Sequence, residues 1–437
     1  MKIVKPRILS GFMELLPEDQ LEFNKMYDTI RRVYELYGFA PIETPAIELA
    51  EVLLAKGGGE TEKQIYRFKK GDNDLALHFD LTVPLARYVA QHERELVFPF
   101  RRYQMQKVWR GERAGAGRFR EFYQCDIDVI GTNNVLFDAE IPSVVYEVFK
   151  QLGFEKFTIK INNRKILTGF YESIGLINQA ADVLRVVDKI DKIGKQGVRK
   201  ELLSLSVDSD TIEALFVFIE IQGEIDDVLK QLEQLGIKNT TFQAGLAELG
   251  KVTSSMLTLG VPQKNFKIDL TVARGLDYYT GTVYETVLDE YPQVGSVCSG
   301  GRFDDLASYY TTTSLPGVGI SIGLTRLFYM LREAGVINAS ARTPSKVLLL
   351  SVDENALDRV LELAAFFRSY GINAEVNFEG GKIGKQMQYA NRLKIPYVIV
   401  IGDDEVKSGT VTLKSMATGS QESLSTEQAA AMLQSTT

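Results

Sequence analysis

Cysteine and histidine are scarce in this chain. Among 437 residues there are two of each: Cys125 and Cys298, His78 and His92. So few cysteines give no disulfide framework, and the four residues together are poor material for a zinc cluster. Catalysis by a histidine base has equally little to draw on. The first residues, MKIVKPRILSG, hold no apolar core of the kind a secretory signal needs. No apolar run approaches the ~20 residues that cross a bilayer. A soluble, cytoplasmic chain without membrane contact is therefore expected. An excess of positive charge is also missing. The formal net charge is −7, so any contact with nucleic acid must be a local patch on an acidic protein.

What the chain does have is length and apolar content. Its 437 residues, 45% of them hydrophobic, suffice for two or three domains with sizeable cores. The most informative stretch is residues 101–131, RRYQMQKVWRGERAGAGRFREFYQCDIDVIG. Gln104, Gln106, Arg110 and Glu112 share one parity, and Tyr103, Met105 and Trp109 the other. After the loop, Phe122, Gln124, Asp126 and Asp128 alternate with Tyr123, Cys125, Ile127 and Val129. A period of two marks strands, and Gly115 and Gly117 permit a reversal between them. The pattern predicts an antiparallel hairpin with an apolar back and a polar front. Arg110 and Arg118 are suited to gripping phosphate oxygens, Phe122 to stacking on a planar base, and Asp126 and Asp128 to taking a cation or ammonium. A wet sheet face with ordinary cross-strand ion pairs fits the same pattern.

Upstream, Phe23, Met26, Tyr27, Ile30, Val33, Tyr34 and Tyr37 recur at helical spacing between Pro17 and Gly38. That stripe predicts a helix that would expose aromatic surface if left alone. GFAPIETPAIE follows, with Pro45 pointing to an edge or interface position. A glycine run at 57–59 reads as a loop. In LALHFDLTVPLARYVA, Asp80 and Thr82 share a side of an extended chain and can grip an ammonium together; helix capping explains them as well. His78 reads as structural. FTIKIN at 157–162 predicts a strand. From 163 to 263 the apolar spacing turns helical, as an insertion of about a hundred residues. Strand patterning returns with FKIDLTVARGLDYYTGTVYETVLD.

A linker at 338–345 precedes a tail, 345–437, in which strands and helices alternate, predicting a small α/β domain. The tail is slightly acidic overall. Lys382, Lys385, Arg392 and Lys394 nonetheless form an acid-free run able to meet phosphate, or simply a solvated helix face.

These segments carry a family resemblance. Arg110-x-Glu112, a short loop, then Arg118-x-x-x-Phe122-x-x-x-Asp126 resembles motif 2 of class II aminoacyl-tRNA synthetases. The helix–strand unit of residues 18–48 resembles their motif 1, the dimer element, and VGISIGLTRL at 318–327 their motif 3. RGLDYYTG at 274–281 and GSVCSGGRFDDL at 295–306 resemble the two signature peptides of the histidyl-tRNA synthetases. The resemblance extends from Pro6 to about Glu427. Two departures stand out: Thr325, where the family usually has glutamate, and a hairpin loop shorter than in close relatives.

The resemblance implies an α+β fold: a class II antiparallel sheet with flanking helices and a helical insertion over residues 1–337, then an anticodon-binding α/β domain. It implies that histidine and ATP form histidyl-adenylate, and that the histidyl group then passes to tRNA(His). Arg110, Arg274 and Arg326 would be catalytic. Histidine would be bound by Asp80, Leu81, Thr82, Arg110, Gln124, Asp128, Arg274, Tyr278 and Tyr279. ATP would meet Arg110, Glu112, Arg118, Phe122, Arg302 and Arg326, with magnesium on its phosphates and no resident metal site. Lys382, Lys385, Arg392 and Lys394 would meet tRNA, and the chain would act as a homodimer. The competing readings are a catalytically silent relative, such as the regulatory subunit of ATP phosphoribosyltransferase, or a tRNA-sensing module. The first generally lacks the tail and loses motif arginines, both of which are present here.

Overall fold

The structure, a computed structural model, describes residues 3–55, 60–115, 117–187, 189–272, 279–304, 307–379 and 381–435. Two compact units divide the chain: Met1–Met13 with Met26–Val336, and Glu14–Lys25 with Ile337–Thr437.

In chain order the strands of the first unit are β1 (Ala40–Pro41), β2 (Ile47–Leu49), β3 (Arg67–Lys70), β4 (Asn73–Leu77), β5 (Phe100–Trp109), β6 (Glu121–Ile130), β7 (Phe157–Asn163), β8 (Phe266–Ile268), β9 (Tyr279–Leu288), β10 (Ser296–Phe303) and β11 (Gly317–Ile322). Eight of them form one sheet in the order β1-β5-β6-β11-β10-β9-β7-β8, and β2-β4-β3 form a small separate one. The large sheet is mixed. Its central strands are antiparallel, while β1 on β5 and β8 on β7 are parallel at the edges.

The hairpin of β5 and β6 forms as its alternation predicts, with Arg102 opposite Asp128, Gln104 opposite Asp126 and Gln106 opposite Gln124. Its turn needs Gly117, whose φ of +68° is cheap only without a Cβ. The apolar back is covered by the helix Pro17–Leu36: the Tyr34 hydroxyl donates to the Cys125 carbonyl at 2.9 Å and the Tyr27 hydroxyl to that of Met105 at 3.2 Å. Gly38, at φ +75°, follows the helix end. Ile30, Val33 and Tyr34 are fully buried within this one chain. The inner part of the stripe thus packs on the sheet, while Met26, Tyr27 and Tyr37 stay partly exposed.

Among the described residues, a run of helices from Arg164 to Thr258 separates β7 from β8. The helix Leu136–Gln151 places Asp138 behind the sheet, where the Thr282 hydroxyl donates to its carboxylate at 2.7 Å and the Tyr284 hydroxyl to its carbonyl at 2.6 Å.

The second unit holds β12 (Val347–Ser351), β13 (Ala374–Val376), β14 (Tyr397–Ile401), β15 (Val411–Ser415) and β16 (Gln421–Leu424), in the order β13-β12-β14-β15-β16. β12 is covered on both faces, hence its unbroken apolar run. Val347 and Leu349 pack with Val360, Phe367 and Leu433 on one side; Leu348 and Leu350 pack with Ala390 and Ile395 on the other.

Candidate active site

Pleating puts Arg102, Gln104 and Gln106 of β5 on the same face as Gln124, Asp126 and Asp128 of β6. On β11, Gly319 stands opposite Asp128 and Ser321 opposite Asp126; on β10, Gly301 stands opposite Gly319. The result is a sheet front floored by glycine and walled by polar side chains. These polar groups are not solvated. Arg102 and Gln104 are wholly buried, and Asp80, Asp126 and Asp128 are at most 5% exposed.

Asp128 meets Arg102 across the strands, with Oδ2 2.6 Å from Nη2. This is a close charge contact without hydrogen-bond alignment, and Nε and Nη2 of Arg102 make no hydrogen bond. Nη1 donates to Gln104 Oε1 at 3.4 Å, and Gln104 Nε2 donates to Thr44 Oγ1 at 2.9 Å. Gln124 donates Nε2 to Ser321 Oγ at 2.7 Å, leaving its Oε1 unpartnered, and Oδ1 of Asp126 is likewise buried without a partner. Burial outweighs the arginine: it pushes Asp126 up to about 6 and Asp128 up to about 7. Such acceptors, buried and unmet, suit a ligand rich in N–H donors.

Asp80 joins this front from the loop after β4. Its Oδ1 accepts the Val83 N–H at 3.0 Å, so it caps the helix Thr82–Gln91. Leu81 is helical in backbone and wholly buried, so Asp80 and Thr82 do not share a side of an extended strand as expected. Burial raises the Asp80 carboxyl, opposed by the Val83 N–H and Arg110. Arg110 lies beside it, Nε donating to the Phe79 carbonyl at 2.9 Å and its guanidinium 5.2 Å from the centre of the Phe122 ring. Glu112 and Arg118 face each other across the turn at 4.0 Å, with the arginine largely in solvent.

Arg326, on the helix Leu324–Glu333, donates Nη2 to the Val294 carbonyl at 2.9 Å. Thr325, next to it, is buried and accepts the Tyr123 N–H at 2.8 Å, taking up a strand donor beyond the end of β11. Tyr279 opens β9, opposite Phe303. Arg274 and Tyr278 lie outside the described residues. Arg302 is not on this front. It sits behind the sheet, Nε donating to both oxygens of Asp138 at 2.9 and 3.0 Å and Nη1 to the Thr132 carbonyl at 3.0 Å. With 5% exposure and its fork engaged, it has nothing left for an ATP phosphate. The expectation for Arg302 is corrected: it ties the helix Leu136–Gln151 to the sheet.

His78 is buried, its Nε2 2.7 Å from the Lys107 carbonyl and its ring 5.4 Å from that of Trp109. Burial holds it below the usual imidazole range, as suits a structural histidine. In the tail, Lys382, Lys385, Arg392 and Lys394 are all exposed around the helix Ile383–Leu393. Lys385 borders a cavity of about 430 Å³ with Phe378, Tyr389, Gln386 and Glu375.

Sequence reasoning missed three members of the front. Arg102 shares the parity of Gln104 and was legible there, whereas Ser321 and Gly319 are brought in only by the pairing of β11 with β6.

Comparison with known proteins agrees with this architecture. Residues 11–327 match the family model described as histidyl-tRNA synthetase, and residues 346–436 match the anticodon binding domain. A histidine–tRNA ligase of Clostridium tetani is 59% identical over 98% of each chain. The crystal structure of histidyl-tRNA synthetase from a Nostoc species superimposes with a TM-score of 0.93 at 41% identity, covering 99% of each chain. A Bacillus halodurans protein described as an ATP phosphoribosyltransferase regulatory subunit/histidyl-tRNA synthetase shares the fold at TM-score 0.74 and 22% identity, over 88% of this chain and 97% of that one. The chain therefore has the class II synthetase fold with a C-terminal anticodon-binding domain, and it belongs to the histidyl-tRNA synthetase family.

Proposed function

We propose that this chain is a histidine–tRNA ligase that activates L-histidine with ATP and transfers it to the 3′ end of tRNA(His). The observation that carries this is the buried front of β5, β6 and β11, where Asp80, Gln124, Asp126 and Asp128 present acceptors to a nitrogen-rich amino acid beside Arg110. Asp80, Thr82 and Gln124 would take the ammonium. Asp128 and Tyr279, with Tyr278, would read the imidazole. Attack of the histidine carboxylate on the α-phosphate builds negative charge, which Arg110 and Arg274 would stabilise from fixed positions. Phe122 and Glu112 would hold the adenine, and Arg118 and Arg326 the phosphates.

Among the described residues no three His, Cys, Asp or Glu side chains gather as a metal-binding group. Magnesium would arrive with the substrate, neutralising the phosphates of ATP. The exposed cations Lys382, Lys385, Arg392 and Lys394 would meet tRNA, a division of labour in which residues 1–337 do the chemistry and 345–437 grip the anticodon. No helix among the described residues is long and apolar enough to cross a membrane, and the reading places the protein in the cytoplasm. A homodimer follows from likeness of the 18–48 unit to motif 1; sedimentation as a monomer at micromolar concentration would remove it. Against the silent regulatory relative stands the 59% identity to a ligase over nearly the whole chain.

The test is ATP–pyrophosphate exchange with purified protein across all amino acids. Exchange dependent on histidine alone is expected, and its absence would refute the proposal.

A further inference from the structure

Asp128 is held from two sides. Its Oδ2 faces the wholly buried Arg102, and its Oδ1 occupies the space over Gly319, where any Cβ would collide with it. Arg102 is itself anchored from behind. Its Nη1 donates to Gln104, whose Nε2 reaches Thr44 and Gln106; Gln106 in turn donates to the Thr44 carbonyl at 3.1 Å and accepts the Thr44 N–H at 3.3 Å. This chain of largely buried polar groups leads to one carboxylate oxygen, which Nη2 meets as a close charge contact, and Nε and Nη2 of the arginine make no hydrogen bond. A buried arginine with its polar partners converging on one acid is unusual as a stabilising device, because desolvation cancels much of the attraction. It makes sense where the acid must be oriented and charged.

We propose that Arg102 is a positioning residue that holds Asp128 as an oriented carboxylate facing the histidine imidazole, so that selection of the side chain depends on a residue that never touches it. The proposal rests on the histidine reading of the site. The other ionisable groups acting on Asp128 are Asp126 on its own strand and Asp80 from the loop before the helix Thr82–Gln91, while Arg110 acts on those two; Gly319 and Ser321 of β11 carry no charge. Both neighbouring acids disfavour a charged Asp128, and Arg102 is the cation opposing them. Without Arg102, Asp128 would take up its proton at higher pH, and it would then offer an O–H where an N–H acceptor is needed.

The test is histidine-dependent pyrophosphate exchange with full-length wild type, Arg102→Met, Arg102→Lys, Asp128→Asn and the Arg102→Met/Asp128→Asn double variant. Arg102→Met should raise the KM for histidine about 10- to 100-fold at neutral pH, leaving the KM for ATP near wild type. That penalty should shrink as pH rises, because Asp128 then ionises unaided. Ionisation of free histidine is common to all variants and cancels. Arg102→Lys, which keeps the charge, should retain the wild-type pH profile. In the Asp128→Asn background, Arg102→Met should add nothing to the histidine KM, since Arg102 acts through Asp128. The double variant also avoids leaving a buried charge alone, so it remains informative if Arg102→Met does not fold. A pH-independent penalty, an equal rise in the KM for ATP, or additivity of the two substitutions would overturn the proposal. Absence of histidine-dependent exchange in wild type would instead refute the functional reading itself.

Discussion

Oδ1 of Asp128 stands where a Cβ of residue 319 would have to be. The two residues are direct partners across β6 and β11, so the acid keeps its place over the sheet only because its neighbour has no side chain. Gly319→Ala would set a Cβ against both Asp128 Oδ1 and the Ile127 carbonyl, displacing Asp128 from Arg102 and shifting β6 locally. The expected outcome is a loss of about tenfold or more in kcat/KM for histidine, with far-ultraviolet circular dichroism unchanged. Wild-type exchange kinetics in this variant would show that the position of Asp128 is not needed.

Asp126 should influence stability in a pH-dependent way. Burial lifts its carboxyl to about 6, above the 3.8 of an exposed aspartate. The folded state therefore binds the proton more tightly than the unfolded chain does. Its contribution to stability is whole below pH 4 and is lost as pH rises through about 6. Asp126→Asn, which never ionises, should match wild type near pH 4 and exceed it at pH 8 by on the order of 2 kcal/mol. Denaturant unfolding at the two pH values checks this, and a variant no more stable at pH 8 would contradict it.

Arg274 is proposed to stabilise charge on the α-phosphate. Arg274→Ala should reduce histidyl-adenylate formation by roughly 3–4 kcal/mol of transition-state stabilisation, with folding retained. Arg302→Ala should behave differently. It leaves Asp138 buried without its cation behind the sheet, so the loss should appear as lowered melting temperature. Near-normal exchange by the first variant, or a stable, inactive second variant, would reverse these assignments.

Removing residues 345–437 should spare histidine-dependent exchange and severely weaken aminoacylation of tRNA, with a salt-dependent loss of affinity. Glu14–Lys25 belong to the same compact unit as the tail, and Glu18 lies 3.7 Å from Arg342, so retained folding must be confirmed by circular dichroism. Equal loss of both activities in a folded protein would mean that the tail supports the chemistry.

Much of this molecule is decided locally and can be read along the chain. The period of two in β5 and β6 sets which side chains face the site, since pleating leaves no alternative once the strands pair in register. The stripe from Phe23 to Tyr37 specifies its helix, and the alternation in the tail specifies an α/β unit with its own core. The family resemblance carried by the motifs implies site roles for Asp80, Arg110, Gln124, Asp128 and Arg326, and strand parity puts Gln124 and Asp128 on one face.

Other features depend on pairings between distant segments. Alternation places Asp128 on the forward face, but only the cross-strand contact with Arg102 and the absence of a Cβ at Gly319 settle that it is clamped and buried. Arg302 lies in a glycine-rich signature peptide that suggested a phosphate ligand, yet Asp138, 164 residues earlier, claims its guanidinium on the opposite face. Thr325 reads as a departure from a family motif, and the fold makes its hydroxyl the partner of an N–H 202 residues away. The difference is physical: strand parity and helical period are properties of neighbouring residues, whereas desolvation, and with it the charge state of Asp126 and Asp128, exists only once β6, β11 and the loop of Asp80 have closed over the same space.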